Sequence, residues 1–193
     1  MIPEHIKVKF FVEEPAAVDL PAFIPLFHGW IQNKTVEGLL IDVADYKHVP
    51  EGPGILLIGH EGDYAIDMAN GRPGLLYSRK REWGDDHTLK QRLRTVFRLA
   101  LRACQPIEAE PAFEGRIKFR TDDVELTFAD RLNAPNQPET LDAVREEILA
   151  VLANLYPERE ITLERTNQHP RQPFTLRIQA SDAPNLSTLL VNV

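Results

Sequence analysis

Histidines and carboxylates set close together are the side chains that hold divalent ions and move protons, and residues 42–67 gather them densely. Asp42, Asp45 and His48 stand at one end of that stretch and His60 and Glu61 at the other, with His28 upstream. Imidazole and carboxylate together suit zinc, and a histidine beside a carboxylate can act as a general base. The spacing nevertheless matches no His-Glu-x-x-His pattern, and the neighbours His60 and Glu61 diverge if their backbone is extended. The apolar run Ile55 to Gly59 separates the two groups. As a strand rising ~3.3 Å per residue, it holds His48 and His60 roughly 20 Å or more apart. One ion cannot bridge them. No metal and no cofactor is expected, and the stretch divides into two candidate half-sites.

The first half-site is Asp42, Asp45, Tyr46 and His48, where a strand runs into the loop His-Val-Pro-Glu-Gly-Pro-Gly. Prolines stiffen such a loop, so ordering its side chains around a ligand loses less entropy. The second is His60 and Glu61 with Arg79 and Arg81. The competing structural explanation is that Asp45 caps a turn and His60-Glu61 merely occupy one. A third group, Arg94, Arg98 and Arg102, recurs every four residues on the polar face of the helical segment 89–104, near Arg79, Lys80, Arg81, Lys90 and Arg92. A phosphate-bearing ligand, RNA or an acidic protein surface can dock on such a face. Against this, no aromatic is interleaved to stack bases, and the acidic segment 139–147 can balance the charge. His28 in an apolar helix is expected as a hydrogen-bonded core or boundary residue, and Cys104 as a small hydrophobe on the apolar helix face.

These groups depend on the elements that position them. Ile6, Val8, Phe10 and Val12 alternate against Lys7, Lys9, Phe11 and Glu13, the period of a half-buried strand. Phe23, Phe27, Trp30 and Ile31 have helical spacing, with Asp19 as the expected N-cap and a late start or kink at Pro25. A strand is expected near residues 38–43. Turn signals at His60–Asp63 and Asn70–Gly74 then divide residues 54–80 into a three-stranded antiparallel meander. From Asp85 or Asp86 to Cys104 runs a helix with Leu89, Leu93, Val96, Phe97 and Ala100 inward. A second helix over 138–156 buries Leu141, Val144, Ile148, Val151, Leu152 and Leu155. A hairpin is expected around Thr121-Asp122-Asp123, and another between Glu160–Thr166 and Phe174–Ala180. The tail, residues 181–193, has no assigned element or role.

This succession describes an α+β fold: largely antiparallel sheet with long amphipathic helices packed on it. It can be two similar subdomains, 1–110 and 111–193, or one continuous domain. The net charge of −7, from 22 Lys+Arg against 29 Asp+Glu, argues against a nucleic-acid coat or membrane-surface protein. A single cysteine, no basic-then-apolar leader and no apolar run of membrane-spanning length lead us to expect a soluble cytoplasmic protein. The function expected is non-catalytic binding of a ligand or partner. The alternatives are a small hydrolase using a His/Asp cluster at the sheet rim, or an anion or nucleic-acid binder using helix 89–104. Self-association stays open.

Overall fold

A computed structural model describes residues 2–50, 52–84 and 86–193. Eight strands form one antiparallel sheet: β1 Ile6–Val12, β2 Leu40–Tyr46, β3 Gly54–Gly59, β4 Gly62–Asp67, β5 Gly74–Arg79, β6 Phe119–Phe128, β7 Ile161–Arg165 and β8 Phe174–Ala180. Their order across the sheet is β2-β3-β4-β5-β1-β6-β8-β7. Strands from both halves of the chain therefore belong to one sheet, joined where β1 lies between β5 and β6. The helices are α1 Phe23–Asn33, α2 Leu89–Glu108, α3 Pro138–Leu155 and α4 Leu186–Asn192.

Alternation along each strand decides which face the helices cover. Val8 and Phe10 on β1, Leu57 on β3, Ile66 on β4, Val124 on β6 and Ile178 on β8 point to the helices and are buried. Phe10 meets Phe97 of α2 edge to face, with ring centroids 6.5 Å apart. Leu93, Phe97, Val144, Ile148 and Leu152 are all buried in the same core, as their mid-face positions require. Leu141 packs against its edge.

The meander of 54–80 forms as expected: β3 pairs with β4 and β4 with β5, both antiparallel. Gly54 opens it with φ +60°, and a Cβ there would lie 2.3 Å from the Ile66 carbonyl. The C-terminal hairpin also forms, as β7 and β8.

Other boundaries differ from the sequence reading. Helix α1 starts late, as expected, at Phe23 after two 3-10 turns, but the expected N-cap Asp19 makes no side-chain capping bond. Helix α2 starts at Leu89 because Thr88 and Gln91 close a capping box, satisfying two exposed backbone donors. Asp86 lies upstream of it, and Asp85 lies outside the described residues. The segment 119–128 is one strand and not a hairpin. Phe10 pairs with Val124 while Val12 pairs with Phe119, so the Thr-Asp-Asp signal marks a bulge within β6. The tail supplies α4, capped by the Asn185 side chain accepting from the Thr188 amide at 2.8 Å and anchored by buried Leu186 and Leu189. Among the described residues no helix is long and apolar enough to cross a membrane.

Candidate functional site

The sheet face away from the helices carries the molecule's unusual chemistry. One row of directly opposed residues crosses all eight strands: Ala44, Leu56, Ala65, Leu76, Lys9, Glu125, Arg177 and Glu164. Four apolar residues are followed by four charges of alternating sign. Opposed Cβ atoms in an antiparallel sheet lie only about 5 Å apart, so Glu125 and Arg177 each sit between two charges of opposite sign, Lys9 between Leu76 and Glu125, and Glu164, on the edge strand, beside Arg177 alone.

Around the charged half, β1, β6, β8 and β7 form the floor of a cavity of 640 Å³, and Asn70, Asn167 and Gln172 from two loops line its rim. Its charged groups are preorganised. Asp123, wholly buried, accepts from Arg177 Nε at 2.9 Å and Nη2 at 2.8 Å, and from Arg72 Nη2 at 2.6 Å. The Arg72 guanidinium also lies 3.6 Å from the centre of the Phe11 ring, a cation–π contact. Lys9 is 3% exposed and donates to Asp67 at 2.5 Å. Lys9, Arg72 and Arg177 thus face Asp67, Asp123, Glu125 and Glu164, and Arg120, paired with Asp122 at 2.8 Å, lies 3.9 Å from Asp123.

The two central carboxyls titrate in opposite directions. Burial pushes Asp123 up, but the bonds from Arg177 and Arg72 together outweigh it and hold the group below the ordinary aspartate value. Burial also pushes Glu125 up, reinforced by Asp67 and Asp123, and there it prevails over Lys9 and Arg72. A half-buried carboxyl held above its usual range inside a preformed cavity is the pattern of a functional site.

The first cluster read from the sequence does not converge. Asp42 and Tyr46 lie on the open face of the edge strand β2, while Asp45, one strand position away from Tyr46, lies on the other. Asp45 accepts from the Lys47 amide at 3.0 Å and pairs with its ammonium at 3.1 Å, which makes it a turn cap. The backbone bond from Lys47 is the main force holding its carboxyl low. Tyr46 and His48 stack at a centroid distance of 6.4 Å. None of the four lines the cavities described here.

The second cluster does gather. His60, Glu61, Arg79 and Arg81 line an open depression of 650 Å³ with His5, and His60 meets Glu61 at 3.3 Å. His48 and His60 follow opposite ends of the β2–β3 pair, since Tyr46 opposes Gly54 and Leu40 opposes Gly59. Much of this rim is already engaged. Arg79 donates to the Arg81 carbonyl at 3.0 Å and lies over Trp83 at 4.5 Å, and Arg81 donates to the His60 carbonyl.

The arginine row on α2 is divided. Arg98 is bound by Glu37 through both carboxylate oxygens, and Arg102 lies 3.7 Å from the same group. The balancing charge is thus Glu37, ahead of β2, where the sequence pointed to residues 139–147. Arg94 lines a separate recess beside Asn154 and Asn192. Arg92 is buried and paired with Glu4 at 2.7 Å, so it adds nothing to the surface field. His28 is exposed, on the far side of α1 from the core. Cys104 is buried, and burial raises its thiol well above the usual range, as a packed small hydrophobe requires.

Sequence reading missed Lys9, Arg72, Glu125, Glu164 and Arg177. The available signal was a polar period-two face on β1, β6 and β8: Lys7 and Lys9; Asp123, Glu125 and Thr127; Thr175, Arg177 and Gln179. Compared with known proteins, the chain matches no family model, no curated protein and no solved structure.

Proposed function

We propose that this is a non-catalytic binding protein whose ligand is a small hydrophilic molecule seated in the cavity over β1, β6 and β8. The observation that carries the reading is the burial of charge on a sheet face that no described helix covers. Desolvating Lys9, Asp67 and Asp123 is costly, and apolar residues of similar volume are often as stabilising or better. The network also holds Arg72 and Arg177 in fixed geometry before any ligand arrives, which lowers the entropy lost on binding. A volume of 640 Å³ lies within the range of small-molecule sites, and the polar lining selects a ligand rich in hydrogen-bonding groups.

The test is a thermal-shift screen with sugars, amino acids, nucleosides, phosphate esters and dicarboxylates, confirmed by calorimetry. Gln172→Trp is the control, because this exposed rim side chain can be enlarged into the cavity without touching the ion pairs. A ligand that raises the melting temperature of the native protein and not of Gln172→Trp supports the reading. Absence of any such ligand, or equal shifts in both proteins, refutes it.

A further inference from the structure

Arg177 is the centre of the charged row, and its two cross-strand neighbours are Glu125 and Glu164. An anion approaching Arg177 therefore meets two carboxylates on its flanks, and a simple anion is repelled by them. A simple cation meets Arg72, Arg177 and Lys9. Only a ligand carrying both signs, closely spaced, fits the whole row.

The hydrogen-bonding inventory agrees. Arg177 spends Nε and Nη2 on Asp123, and Arg72 spends Nη2 there. Among the described residues, Arg177 Nη1 and Arg72 Nη1 donate to no protein group, while the carboxylates of Glu125 and Glu164 accept from none. Free donors and free acceptors thus line one cavity, with acceptors on both sides of the donor-bearing Arg177. Resting on the binding role proposed above, we infer that the ligand is a free α-amino acid. Its carboxylate is held by the guanidiniums of Arg72 and Arg177, and its ammonium by Glu125 and Glu164. The adjacency of the charges selects the α-amino acid over a dipeptide, whose termini lie a residue further apart. Its side chain extends toward the rim amides Asn70, Asn167 and Gln172.

The experiment titrates the native protein calorimetrically with each standard amino acid, then takes the best binder's N-acetyl and carboxamide derivatives. At least one free amino acid is expected to bind with Kd between about 1 µM and 1 mM. Either derivative should bind at least about tenfold more weakly, since each removes one charge partner. Glu125→Gln should weaken the free amino acid about tenfold and strengthen the anionic N-acetyl derivative, because it removes one of the two carboxylates that repel it. Equal binding of free and N-acetylated forms overturns the inference. So does the absence of any amino-acid binding up to about 10 mM, well beyond functional affinity. If sugars or dicarboxylates bind in a Gln172→Trp-sensitive way while amino acids do not, the cavity's binding role stands and only the amino-acid assignment falls. If nothing binds in that way, both fall.

Discussion

Asp123→Asn tests whether the ion cluster holds the cavity in shape. The substitution preserves size but removes the charge that organises Arg72 and Arg177, and turns one accepting oxygen into a donor facing guanidinium N–H groups. Breaking a fully buried pair costs about 3–5 kcal/mol. Here the aspartate is wholly buried, but Arg72 and Arg177 are 38% and 36% exposed, so water can take over part of their hydrogen bonding. The expected loss is about 2–3 kcal/mol, below that of a fully buried pair. At a urea slope of about 2 kcal/mol per molar, the midpoint falls by roughly 1–1.5 M. Trp30 and Trp83 fluorescence reports the transition. The pH dependence is equally specific. Because the folded-state pKa of Asp123 lies below its ordinary 3.8, its stabilisation is complete above that value and is lost as pH falls through the folded value. The gap between native and variant stability should be flat near neutrality and close in acid. A loss near zero, or a gap that persists unchanged in strong acid, refutes the account of Asp123 as the cluster's organiser.

Glu125→Gln should behave in the opposite sense. Its folded-state pKa is raised above 4.5, so the native protein loses stability as pH climbs from 4.5 through the folded value. The variant should lack that decline and gain on the native protein at neutral pH in urea titrations. Phe97→Ala removes a buried ring packed edge to face on Phe10 and should cost about 3–5 kcal/mol by the same assay. A cost near zero would mean that α2 docks by another face. Gly54→Ala places a Cβ against the Ile66 carbonyl at a left-handed φ, and should cost at least about 1–3 kcal/mol, while Gly71→Ala, with open space around it, costs less.

The sequence made local structure legible and distant pairing obscure. The meander of β3, β4 and β5 was readable because its turns are short and their residues specific. The cores of α2 and α3 were readable because every third or fourth residue is apolar. The charged row was hidden because Lys9, Glu125 and Arg177 are neighbours only after three strands far apart in sequence find their register. Alternation shows that each strand has a polar face and is silent on which strands adjoin. Asp45 and His48 drew attention because they are close in sequence, yet period two separates Asp45 from Asp42 and Tyr46 onto opposite faces. The pair Asp122-Asp123 resembled a turn because aspartate is common in turns. In β6 the same residues fall where the register against β1 shifts, while Asp123 keeps its pairing with Gln179 on β8 and so shares the face of Glu125.

The position of β1 also bears on how the chain assembles. It is the first strand in sequence yet lies fifth across the sheet, with β5 on one side and β6 on the other. During synthesis from the N-terminus, residues 6–79 can complete β1 through β5 while β6 is still to be made. For that interval β1 presents an open edge, and Lys7 and Lys9 place positive charge along it, a device that discourages pairing with other chains. Closure then waits for a partner more than a hundred residues downstream, a high-contact-order step that slows the final docking of the C-terminal strands. Because Lys9 and Glu125 meet only at that step, the cavity is completed late, and a nascent or truncated chain ending before β6 has the meander without the cavity floor.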